Sequence, residues 1–198
     1  MKFAQFFFEE CRKLVDEMDT EIIERMAQML AEIRQNGGRL FLLGSGGGAG
    51  HASHAACDFR KLCDIQTYAV YDNVSELTAR VNDEGWDVTI RNWLKVSRLN
   101  NHDAVLIFSV GGGNQQKNIS LNLVKAVEYA RECGAKVLGI VGKDGGYTKQ
   151  VGDAVCVIPN VNPDYLTPLT EGFQAVIWHL LVSHPALKAA PAKWESSL

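Results

Sequence analysis

Two short apolar runs, each leading directly into a glycine-rich loop, constrain this chain more than any other feature. Arg39-Leu40-Phe41-Leu42-Leu43 leads into Gly44-Ser45-Gly46-Gly47-Gly48, and Ala104-Val105-Leu106-Ile107-Phe108 leads into Ser109-Val110-Gly111-Gly112-Gly113-Asn114. Continuous apolar runs of this length mark strands covered on both faces, as in a parallel sheet. In such sheets ligands sit beyond the carboxyl ends of the strands, and glycine lets backbone N–H groups approach an anionic oxygen. Two such loops predict one phosphate-binding crevice.

The rest of the chain alternates in the same way. Strands are expected at 66–71, 136–141 and 154–158, and helices near 50–63, 74–82, 86–99, 120–133, 145–151 and 167–183. This order predicts an α/β fold, a three-layer sandwich with a parallel five-stranded sheet flanked by helices. Ahead of it, residues 2–18 and 20–36 carry apolar side chains at helical spacing, with Asp19-Thr20 as N-cap chemistry and Asn36-Gly37-Gly38 as a C-cap. Phe3, Phe6, Phe7 and Phe8 are more than one helix can hide at a domain edge, so this hairpin (1–36) is expected to pack on a partner subunit. No repeat or linker interrupts residues 1–198, which form one domain; a loosely attached peripheral tail is expected over 186–198.

A net charge of −3 leaves no basic field for nucleic acid or an anionic membrane surface. The apolar runs fall short of the ~20 residues that span a bilayer. The first residues, MKFAQFFFEECRKL, meet acids where a signal peptide needs small residues, so the expected location is cytoplasmic. Five cysteines, an odd number with no CxxC pair, read as buried free thiols.

The first loop also satisfies a loose dinucleotide-binding pattern, Gly44-x-Gly46-x-x-Ala49. That pattern wants an acid ~20 residues on, whereas Asp72 lies 28 residues beyond Gly44, and a second glycine loop has no place in it. The polar residues on the helices suggest different chemistry. His54 and Asp58 are four apart and share a helix face; Glu171 and His179, eight apart, share another. Two such faces make a four-ligand site for zinc or another divalent ion. The plainer readings are a surface or capping histidine for His54 and a favourable first-turn acid for Glu171; His51, one turn before His54, is the competing ligand. Ser109 and Ser120 are the hydroxyls of the second loop, with Ser120 at a helix N-cap, where free N–H groups favour phosphate. Lys143-Asp144-Gly145-Gly146 reads as turn chemistry.

Taken together, the hairpin, GSGGGAGHASHAACDF, DNVSELTARVNDEGW, VGKDGG and a last helix with an acid eight residues before a histidine resemble, in order, the sugar isomerase (SIS) domain family, phosphoheptose isomerase group. The resemblance covers residues 2 to 185 and implies a flavodoxin-like sheet. It implies substrate binding by Ser45, Gly46, Gly47, Ser109 and Ser120, to which Asp72 at the end of the second strand is added as an expected substrate residue, metal binding by His54, Asp58, Glu171 and His179, and acid–base roles for Asp58 and His179. It further implies interconversion of sedoheptulose 7-phosphate and a heptose 7-phosphate through an enediol, with zinc, in a homotetramer whose sites lie between subunits. Two ligands depart from the family pattern, Asp58 standing for a glutamate and Glu171 for a glutamine. The second loop lacks a Ser-Thr-Ser run and carries about six extra residues, Gly112 to Lys117. The rival readings are a non-catalytic module that binds a sugar phosphate or a protein, and an isomerase of another sugar phosphate.

Overall fold

A computed structural model describes residues 1–191. The amino-terminal hairpin comprises α1 (Phe3–Asp16) and α2 (Thr20–Gln35), and the Asp19 side chain accepts from the Ile22 N–H as an N-cap. There follow β1 (Arg39–Gly44), α3 (Gly47–Cys63), β2 (Gln66–Ala69), α4 (Val74–Glu84), α5 (Thr89–Val96), β3 (Ala104–Ser109), α6 (Leu121–Glu132), β4 (Lys136–Val141), α7 (Gly146–Val151), β5 (Ala154–Val157) and α8 (Leu166–Ser183). The helix expected over 86–99 is divided, because Trp86–Val88 winds as a 3₁₀ turn before α5 begins.

All strand pairs are parallel, in the order β2-β1-β3-β4-β5. The three-layer sandwich expected from the alternation is therefore present. Successive strand residues face opposite sides: Leu40, Leu42, Leu106, Phe108, Leu138 and Ile140 pack with α1, α2, α3 and α8, while Phe41, Leu43, Val105, Ile107 and Val137 pack with α5 and α6. The strand order reverses between β1 and β3, and a crevice opens where neighbouring connections leave to opposite faces. The two glycine loops end these two strands.

The expectation of a loose end after Pro185 meets a different finding. Leu187 is fully buried, Arg34 donates to the carbonyls of Cys63, Ala186 and Leu187, and the N–H groups of Ala189 and Ala190 donate to the Leu62 carbonyl. Residues 192–198 lie outside the described residues. The buried-thiol expectation also needs correction: Cys63 and Cys156 are buried, Cys11 and Cys133 partly so, and Cys57 is exposed. Burial pushes the thiols of Cys63 and Cys156 up to about 11 and about 12.

Candidate functional site

The first loop turns sharply from β1 into α3 beneath β3. A Cβ on Gly48 would collide with the Phe108 carbonyl, and one on Gly47 would fall 2.5 Å from Glu171 Oε1, so neither position accepts a side chain without displacement. The second loop accommodates its extra residues as a small hairpin, in which Asn114 and Ile119 exchange N–H···O bonds of 2.9 and 3.0 Å. It is braced from below by α7: the Thr148 N–H and Oγ1 donate to the Gly112 carbonyl at 3.0 and 2.8 Å, and the Tyr147 N–H donates to the Gly113 carbonyl at 2.8 Å. The Lys143–Gly146 turn therefore supports the loop.

Between the loops lies a cavity of about 280 Å³, lined by Ser45, Ser109, Ser120, Glu171, Gln174 and backbone at Gly48 and Gly111. Its size is close to the lower end of small-molecule sites, ~300 Å³. Ser109 Oγ accepts from the Gly112 N–H at 3.0 Å, which leaves its proton for another acceptor. Ser120 stands at the N-cap of α6 with φ of 51°, and its hydroxyl makes no capping bond. Gln174, fully buried, donates Nε2 to the Ile140 carbonyl at 2.9 Å, while its Oε1 is buried without a partner.

A second constellation lies further along α3 and α8. His54, Asp58 and His179 each offer a ligand atom, and these atoms lie within 4.8 Å of one another. His179 Nδ1 is 2.7 Å from the Ala175 carbonyl, a contact that only an N–H on that nitrogen can make, so in the neutral ring the lone pair sits on Nε2. Nε2 stands 3.9 Å from Asp58 Oδ2, too long for a hydrogen bond and near the spacing of two atoms that share one cation. Trp178, 1% exposed, sets its ring edge-on to His54 at 4.7 Å between centroids and limits where that imidazole can turn. Two imidazoles and a carboxylate, with a lone pair already presented, fit zinc or a similar divalent ion with one coordination position left open.

Three of the four expected ligands come together here. Glu171 is absent from the group; its carboxylate rests against Gly47 and lines the loop cavity. Eight residues at 1.5 Å set the Cα atoms of Glu171 and His179 about 12 Å apart along α8, and here the Glu171 side chain is turned toward the first loop. His51 is not part of the group either. Its imidazole is pushed below its ordinary value by burial, partly offset by the charge of Glu171.

The other expected substrate groups divide between places. Ser45, Ser109 and Ser120 share the loop cavity; Gly46 and Gly47 are exposed beside it. Asp72 accepts from Ser53 Oγ at 2.7 Å and lines a separate groove of about 450 Å³ with Cys57, Arg60, Tyr68 and Trp93. Sequence reasoning missed Gln174, Thr148 and Asn122. The signal for Asn122 and Gln174 was a polar residue on a face whose helical neighbours are apolar.

A family model described as SIS domain matches residues 6–142. Among curated proteins, a phosphoheptose isomerase from Trichlorobacter lovleyi is 33% identical over 177 residues, covering 85% of this chain and 84% of its own. The lincomycin biosynthesis protein LmbN from Streptomyces lincolnensis is 34% identical over 169 residues, covering 80% of this chain; the chain spans 60% of that relative's length. Among solved structures, phosphoheptose isomerase GmhA from Neisseria gonorrhoeae superposes with a TM-score of 0.78 at 23% identity, covering 91% of this chain and 94% of that one.

Proposed function

From the premise that the chain belongs to the SIS domain family, in its phosphoheptose isomerase group, we propose that it is an aldose–ketose isomerase of a sugar phosphate, with sedoheptulose 7-phosphate and D-glycero-D-manno-heptose 7-phosphate as the pair it interconverts on the way to nucleotide-activated heptose. The observation that carries this reading is the group of His54, Asp58 and His179 within 4.8 Å, on the helix that leaves the first glycine loop and the helix that crosses it. The loop cavity supplies what a phosphate needs: hydroxyl donors at Ser45, Ser109 and Ser120 and the open backbone of glycines.

The reaction moves a proton between C1 and C2 and another between their oxygens. In this reading Asp58 takes the carbon-bound proton and returns it to the neighbouring carbon, and His179, through Nε2, shuttles the hydroxyl proton. A divalent ion would instead be held by His54, Asp58 and His179. When bound, such an ion supplies Lewis-acid polarisation of the substrate oxygens. His179 Nε2 cannot bind an ion and carry a proton at once. Assaying sedoheptulose 7-phosphate turnover before and after chelation assigns it: activity lost and restored by zinc gives Nε2 to the ion, and unchanged activity gives it to the proton. Absence of both turnover and binding in either condition would sink the phosphosugar reading.

A second reading, an isomerase of another sugar phosphate, is favoured by the hairpin inserted over Asn114–Ile119 and by the Glu171 carboxylate in the cavity, which change its shape and charge. Tight binding of sedoheptulose 7-phosphate without turnover would instead favour a sensing module.

The chain is also proposed to work as a homotetramer, in which a neighbouring subunit covers the open side of the site. Phe6 and Phe7 pack edge-on to Tyr165 of their own chain, at 5.7 and 5.9 Å between centroids, but Phe3 and Phe8 are each 63% exposed and Val15 57%. Light scattering at micromolar concentration should give about four times the 21.8 kDa chain mass; a stable monomer rejects the assembly. No helix among the described residues is long and apolar enough to cross a membrane, and the proposed location is the cytoplasm.

A further inference from the structure

The first turn of α6 pushes a buried amide against the first glycine loop. Asn122 is 1% exposed, and its Nδ2 donates to Ser45 Oγ at 2.9 Å and to the Tyr71 hydroxyl at 3.1 Å. A carboxamide nitrogen carries two donors, so both are used. Its Oδ1 is buried with no partner. Tyr71 is itself fixed, stacked on Trp86 with ring centroids 5.7 Å apart and planes at 24°. Burial pushes its phenol above the ordinary value, which keeps it a protonated hydroxyl near neutral pH.

The directions of these bonds have a chemical result. A hydroxyl that accepts from an amide keeps its own proton for a different acceptor. Ser45 lines the loop cavity and also neighbours the Tyr71 oxygen, so its proton has two possible acceptors, and an anionic oxygen in the cavity is the stronger one. Turning the amide over would present Oδ1 instead, draw the hydroxyl protons of Ser45 and Tyr71 inward, and leave Ser45 offering only lone pairs to a ligand. An anionic oxygen would be attracted in the first state and repelled in the second. Asn122 also sits beside the buried apolar Leu123 and Val124, where an apolar side chain would avoid the cost of an unmatched buried oxygen.

We propose that Asn122 is a positioning residue that holds Ser45 as a hydrogen-bond donor toward the anionic oxygen of a phosphosugar in the loop cavity. This rests on the functional reading of that cavity given above. Asn122 acts on the substrate through Ser45, and its effect should vanish when the serine hydroxyl is removed.

The test uses the full chain, sedoheptulose 7-phosphate for kinetics and inorganic phosphate for binding, with Ser45→Ala, Asn122→Ala, Asn122→Asp and the Ser45→Ala/Asn122→Ala double variant. Ser45→Ala and Asn122→Ala should each raise KM and the phosphate Kd by about 10- to 100-fold, the size of one lost hydrogen bond to a charged group, with kcat within about twofold. The double variant should be no worse than Ser45→Ala alone. Asn122→Asp, which only accepts, reverses the Ser45 hydroxyl and should cost more than Asn122→Ala, whereas a merely space-filling role predicts the opposite order. If thermal unfolding shows that Asn122→Asp does not fold, the alanine cycle carries the test. A double variant whose loss is the product of the two single losses overturns the positioning role while leaving the cavity reading intact. Ser45→Ala with unchanged KM and phosphate affinity overturns the cavity reading, and the role of Asn122 with it.

Discussion

At the amino-terminal edge of the sheet, the Asp103 carboxylate, 2% exposed, accepts from the Arg39 N–H, Nε and Nη2 and from the Asn100 N–H and Nδ2, at 2.7 to 3.1 Å. Those donors use its full accepting capacity, about four lone-pair sites. At the carboxyl-terminal edge of the same strands, Asn122 Oδ1 and Gln174 Oε1 are buried with no partner, and the Ser120 hydroxyl caps nothing. Both edges bury polar atoms. Only one has matched them internally. A buried polar group without a partner costs free energy, so an edge that keeps several is arranged for something that arrives later, while the saturated edge ties β1 to the turn before β3. The difference separates polar groups that hold the fold from polar groups available to a ligand.

That separation predicts that damage at the two places should have opposite signatures. The largest effect belongs to the working half. Asp58→Asn and His179→Ala should each lower kcat by about 10²- to 10⁴-fold, the range expected when a proton-transfer group is lost. Their melting temperatures should barely move, because Asp58 and His179 are partly open, at 18% and 52% side-chain exposure, and pack little. Near-normal turnover in both variants would remove the assignment of this group to the chemistry, whatever the cavity binds.

How much of this is readable in the sequence follows from the range of each signal. The sheet is readable because β1, β3 and β4 are continuous buried runs while the edge strands β2 and β5 alternate, and the glycine loops are readable because each directly follows a buried run; that β1 and β3 are neighbours is seen only in the structure. His54 and Asp58 are readable as a pair because four residues make about one helical turn, some 6 Å. Over the eight residues between Glu171 and His179 the same rule preserves the face but not the height, so where the Glu171 side chain turns is not legible, and here it lies against Gly47. Asp72 misleads for a related reason: it ends the β2 side of the crevice in sequence, but its carboxylate is taken by Ser53 and turned to another groove. Asn122 and Gln174 are not legible, since a lone polar residue on an apolar helix face announces only that something must satisfy it, and which group does so depends on the neighbouring strands.

The smaller effect belongs to the saturated edge. Asp103→Ala removes the acceptor for the Arg39 guanidinium, which is 25% exposed, and for three further N–H groups. Breaking one side of a largely buried ion pair costs about 3 kcal/mol, which for a chain of this size lowers the melting temperature by roughly 6–12 °C. Arg39 retains bonds to the carbonyls of Ser97 and Arg98 at 2.9 Å, and these keep the guanidinium partly satisfied and the loss toward the lower end. The loop cavity lies at the opposite end of the strands, so kcat/KM measured well below the new melting temperature should stay within about twofold of the unmodified protein. A variant that unfolds as expected yet also loses turnover tenfold at low temperature would mean that the two edges are coupled through β1 and β3. Strands that transmit strain would then replace the division of labour argued from their polar groups.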